Sequence, residues 1–116
     1  MPFSEAAKNY MLDQLGANKY LYASLDNGNP GATGANEISG GSYVRKAITW
    51  DAASGGVMNA SNQPLFDVPA GASVQYVGFW DAESAGNFQG SDDVTQESFT
   101  NAGTYNLTSA AVDLNA

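Results

Sequence analysis

The stretch from Pro64 to Ala82, Pro-Leu-Phe-Asp-Val-Pro-Ala-Gly-Ala-Ser-Val-Gln-Tyr-Val-Gly-Phe-Trp-Asp-Ala, holds the densest set of large apolar side chains in the chain. Pro69 fixes φ and gives up a backbone donor, and Gly71 takes φ > 0 without a Cβ clash, so Pro-Ala-Gly-Ala reads as a turn. Leu65, Phe66 and Val68 before it predict a strand end. Val74, Tyr76, Val77, Phe79 and Trp80 after it predict a long strand. The two strands read as a hairpin at the centre of a β core, with Val68, Val74, Tyr76 and Trp80 holding two layers together.

Outward from this centre, the composition narrows the field. A chain of 116 residues, 43% hydrophobic, has the length of one domain and can build one core. It has no cysteine and no histidine. Disulfides, thiolate metal sites and the commonest general base are thereby excluded. Four Lys and Arg stand against twelve Asp and Glu, a net charge of −8 that would repel a phosphate backbone. Nucleic acid is therefore not an expected partner. No apolar run approaches the ~20 residues of a membrane span and no secretory leader pattern opens the chain, so the expectation is a soluble protein not exported by its own signal. Charged residues are only 14% of the total, against ~25% in ordinary globular domains. Such a surface suits sheets packed in a large assembly.

Residues 4 to 15 predict the one helix. Ser4 is its cap, Glu5 complements the positive end of the dipole, and Gly16 is a natural C′ residue. Ala7, Met11 and Leu15 form its apolar face. Lys19 to Leu25 alternates as a strand, with Leu21, Ala23 and Leu25 on one face and Tyr20, Tyr22 and Ser24 on the other. Asp26 to Ser42 is rich in turn formers and reads as a long loop. Tyr43 to Trp50 predicts a strand with Val44, Ile48 and Trp50 inward, on which Arg45 or Lys46 pairs with a strand carboxylate. A short strand is expected over residues 57 to 60, an edge segment around Phe88, a strand over residues 94 to 100, and a last strand over residues 105 to 114. Within that last strand the inward parity changes, which requires a bulge or bend near Ser109 to Ala111. The sum is a mainly β protein: a single antiparallel β-sandwich, Greek-key or jelly-roll-like, of seven or eight strands with one short N-terminal helix.

Motifs for chemistry are sparse. Asp67, Asp81 and Glu83 flank the central stretch, yet no nucleophile elbow, phosphate loop or metal-binding His-Glu motif accompanies them. A carboxylate-dependent hydrolase would have to rest on those three acids, and no catalytic residue is expected. Asp26, Asp92 and Asp93 lie in predicted turns and are the candidate calcium ligands, although neither turn has EF-hand spacing. No cofactor is expected. Tyr20, Tyr22, Tyr43, Arg45 and Lys46 are the candidate interaction residues, since aromatic rings on alternating strands can stack on sugars.

Six segments recur in order: Ala-Lys-Asn-Tyr-Met-Leu-Asp-Gln-Leu, Tyr-Leu-Tyr-Ala-Ser-Leu, Gly-Ala-Asn-Glu-Ile-Ser-Gly-Gly, Tyr-Val-Arg-Lys-Ala-Ile-Thr-Trp, Phe-Asp-Val-Pro-Ala-Gly and Gly-Phe-Trp-Asp-Ala. Together, from residue 6 to about 108, they resemble a family of small tailed-bacteriophage proteins labelled tail fibre or minor tail protein, many from phages of actinobacteria. The resemblance implies a virion component with no catalytic residues to carry over. It further implies a compact module on the particle's exterior, decorating the capsid or attached to the tail. Its partners would be other virion proteins and further copies of itself, in many symmetric copies. A module recognising host-surface glycans is the alternative.

Overall fold

A computed structural model describes residues 3–115 of the chain. One helix, α1 (Glu5–Asn18), precedes eight strands: β1 (Tyr22–Asp26), β2 (Lys46–Ala47), β3 (Val57–Asn59), β4 (Leu65–Val68), β5 (Ser73–Trp80), β6 (Phe88–Ser98), β7 (Gly103–Asn106) and β8 (Ala111–Asp113). Every pairing is antiparallel. The strands form a four-stranded sheet in the order β2-β1-β5-β6 and two ribbons, β3-β8 and β4-β7. The mainly β, antiparallel expectation therefore holds.

The core lies between the four-stranded sheet and the β4-β7 ribbon. Ala23 and Leu25 of β1 and Val74, Val77 and Phe79 of β5 pack with Phe66 and Val68 of β4 and with Leu107 just after β7. This is the sandwich-like arrangement that alternation dictates, with every second residue of each strand turned to the other layer. Between Val74 and Tyr76 the register against β6 shifts, with three β6 residues opposite Gln75 alone, and the alternation of β5 resets there, so Val74, Val77 and Phe79 all reach the core although their spacing is uneven.

The central stretch departs from the hairpin expected of it. β4 pairs with β7, whereas β5 pairs with β1 and β6. Pro-Ala-Gly-Ala thus carries the chain from one layer to the other. Both edges of β5 are occupied, and the turn is fastened to the far end of β6 instead, where Gly71 N–H donates to Phe99 O and Phe99 N–H to Ala72 O. A tight turn signals reversal of direction, not which edge the two strands share. Val68 and Val74 bridge the layers as expected. Tyr76 and Trp80 do not, because the reset leaves them on the opposite face of the sheet from Val77 and Phe79.

The helix starts at Ser4, whose Oγ accepts from Ala7 N–H at 3.1 Å. It continues past Gly16 to Asn18. Gly16 serves there as a close contact: an added Cβ would lie 3.2 Å from both Met58 Sδ and the Trp50 ring. Leu12 and Met58 are fully buried, docking the helix on β3 within its own chain.

Further differences follow from tertiary pairing. The expected strand over residues 43 to 50 shrinks to Lys46–Ala47, and Val44 is half exposed. The edge segment at Phe88 and the strand at residues 94 to 100 merge into one strand, since β5 offers a continuous partner. The last strand divides into β7 and β8, which join different ribbons, with the bend where the parity changes.

Adjacent residues of β4 give a direct test of the layering. Phe66 is fully buried and Leu65 is 55% exposed. Phe66→Ala is expected to cost about 3–5 kcal/mol in urea denaturation, and Leu65→Ala less than about 1 kcal/mol. Equal losses at the two sites would refute the burial pattern of this strand.

Candidate functional site

The second face of the four-stranded sheet carries Ser24, Asp26 and Trp80, all buried. What covers them is the segment between β1 and β2, expected as an open loop. Asn27 N–H donates to Asn36 O and Ile38 N–H to Leu25 O, which pins residues 36 to 38 along the free side of β1. Pro30 is fully buried. Gly34 lies on Trp80 with φ +79°, and a Cβ there would come 2.5 Å from the indole. This turn can be filled only by glycine.

Arg45 fastens the cover. Its Nε and Nη2 donate to Glu37 Oε2 and Oε1 at 3.0 and 2.8 Å, a two-pronged pair with a carboxylate of matching width. Nη1 donates to Ala82 O at 3.1 Å and Ala85 O at 2.8 Å, tying in the turn between β5 and β6. The guanidinium carbon stands 3.7 Å from the Trp80 ring centroid. Arg45 is only 7% exposed, so these contacts compensate a charge largely removed from water. Tyr43 Oη donates to Glu37 Oε2 and accepts from Leu25 N–H, both at 2.9 Å. Burial pushes this hydroxyl's pKa upward, and Glu37 adds to the shift.

Beneath the indole a short relay ends on Asp26. Trp80 Nε1–H donates to Ser24 Oγ at 3.0 Å, and Ser24 Oγ–H donates to Asp26 Oδ1 at 2.8 Å. Asp26 is fully buried and its Oδ2 has no hydrogen-bond partner among the described residues. Burial raises its pKa to about 7, Glu37 pushes the same way, and the Ser24 bond and Arg45 oppose. Below pH 7 the carboxyl therefore carries its proton.

The candidate residues thus fall into separate places. Tyr43 and Arg45 join the cluster. Arg45 finds its carboxylate as expected, but on the covering loop instead of a strand. Tyr20 is turned to the core, 5.3 Å from Phe79 and 6.2 Å from Trp50 between ring centroids. It precedes β1, which starts at Tyr22, and packs with Phe79 and Trp50. Lys46, on β2, pairs through its backbone with Ala23 of β1. The seven-residue turn after Trp80 is closed by Asp81, which accepts from Asn87 N–H and Nδ2–H; those bonds lower its pKa. Asp67 sits on the exposed side of β4, apart from it.

The calcium candidates do not converge. Asp26 lies in β1, and Asp92 and Asp93 lie within β6, not in loops. Asp26 and Asp93 both align with Tyr76 of β5, hence two strand spacings apart, about 10 Å, and Asp26 is buried while Asp93 is exposed. Among the described residues no group of three potential ligands could hold a metal. Glu37, the centre of the cluster, was missed in the sequence reading. The signal for it was present: it is the one acid between Asp26 and Asp51, and the same interval holds Arg45 and Lys46.

Asp26 makes stability depend on pH in a defined window. Its folded pKa of about 7 lies above the ordinary 3.8, so from pH 4 to 7 the folded chain binds a proton that the unfolded chain has lost. The contribution of Asp26 to stability is then fully present below pH 4 and is lost as pH rises through 7, by about 1.4 kcal/mol for each pKa unit. Asp26→Asn should flatten this slope in urea melts taken across the window. An unchanged slope would show that Asp26 ionises freely in the fold.

The model of the family described as Podophage GP4 fiber I protein gp80 matches residues 2–115. The chain belongs to that family, and the resemblance to phage tail-fibre proteins read from its segments is borne out at that level. A search of curated proteins finds no match.

Proposed function

We propose that this member of the podophage fibre family is a non-catalytic structural subunit on the exterior of a tailed phage particle, held there in several symmetric copies as part of the tail-fibre apparatus. The family match across residues 2–115 carries the reading. The chemistry of the described residues supports it. The buried charged groups are spent on internal contacts: Arg45 and Glu37 on each other and on the covering loop, Asp26 on Ser24 and Trp80. Such contacts fix a loop and commit these groups to the fold. Decoration of the capsid would use the same compact body, but the family's fibre description favours the tail.

The tyrosines that a sugar-stacking platform needs are turned inward at Tyr20 and Tyr43, so glycan recognition has weaker support in this chain.

Mass spectrometry of purified particles tests the reading. The chain is expected at several copies per particle after stringent washing, with antibody labelling on the tail. Absence from washed particles would overturn it.

A further inference from the structure

Among the described residues β6 is the longest strand, eleven residues, and it pairs with β5 on one side only. β7 follows it in the chain but leaves to join β4 in the other layer. Between them the sandwich stays open. One groove of about 700 Å³ runs between Asp92–Glu97 and Thr104–Ala111. A second, about 430 Å³, continues it past Gly90 and Asp92 toward Ala111–Asp113. The two share Asp92 and Ala111, so an open channel follows the unpaired side of β6 along most of its length.

An unpaired strand edge presents alternate N–H and C=O groups at the spacing of another strand. Here that edge is bordered by Asp92, Asp93, Glu97 and Asp113, with no basic side chain along either groove. Burial, and then Asp93, raises the pKa of Asp92, as expected for acids crowded in a cleft. Partly buried Val94 and Tyr105 and buried Leu107 supply an apolar floor.

We propose that this channel receives an extended, basic segment of another virion protein, which adds as a strand to β6 and sets Lys or Arg side chains against the four acids. A second copy of the chain fits poorly. Two β6 edges pairing with each other would oppose Asp92, Asp93 and Glu97 to the same three residues. Nor does the chain offer a basic strand of its own. Of its four cations, Arg45 is bound to Glu37, Lys8 donates to Asn115 Oδ1, Lys19 caps α1, and Lys46 stands in two-residue β2. That the partner is a virion protein rests on the function proposed above; the chemistry of the channel does not.

The test uses the whole isotope-labelled chain and a short capped peptide of alternating valine and lysine, followed by NMR. Amide shifts are expected along Gly90–Ser98 and Thr104–Asp113, saturating with added peptide. Asp92→Asn with Glu97→Gln should weaken binding about tenfold, as two ion pairs at a partly shielded site would. N-methylation of alternate peptide amides should abolish binding, because it removes the strand hydrogen bonds and leaves the charge. Equal binding of the N-methylated peptide or of a valine-glutamate peptide would overturn the proposal. So would shifts centred on Arg45, the absence of saturable binding, or self-association of the chain blocked by Thr95→Pro. Particle mass spectrometry and this titration are independent, so either reading can fail alone.

Discussion

β5 is the second of two inner strands in a four-stranded sheet, and neither of its faces meets water freely. One face is covered by the opposite layer through Phe66, Val68 and Leu107. The other presents Trp80, whose indole would remain exposed if nothing lay on it. The chain solves this with a segment that has almost no large apolar residues, held by one guanidinium. Arg45 joins three separate pieces: the loop at Glu37, the turn at Ala82 and Ala85, and the ring of Trp80. A covering loop of Gly, Asn and Ala gains little from burial, so its order must come from hydrogen bonds and this ion pair.

The arrangement has a cost that remains visible. Asp26 sits under the cover with one carboxyl oxygen unpaired, and its proton affinity is raised accordingly. A buried carboxyl of this kind is tolerated because it stays protonated when most of the chain's other acids are charged. The same chain leaves a different group of acids exposed along β6. There the carboxylates border an unpaired strand, where they discourage pairing of like edges and favour a basic one.

Much of this was legible in the residues. Ser4 announced the helix start, Ala23 and Leu25 the inward face of β1, and the change of parity after Leu107 the bend between the last strands. The layer-crossing turn was not legible, since Pro69 and Gly71 bend a chain equally well within one sheet or between two. Nor was the inversion of Trp80, which depends on a register shift against β6 that alternation conceals. The role of residues 27 to 42 escaped for a third reason. Turn-forming residues signal an irregular backbone, and irregular backbone can be free or pinned according to one distant contact.

That contact is the centre of the account, and native-state hydrogen exchange measures it. The amides of Asn27, Ala35 and Ile38, which donate to Asn36 O, Pro30 O and Leu25 O, should be protected in the wild-type chain. In Arg45→Met, protection should fall at these three while Val77 and Phe79 in β5 keep theirs. Wild-type loop amides exchanging at the rate of an unstructured chain, or unchanged protection in Arg45→Met, would contradict the claim that Arg45 holds the cover in place.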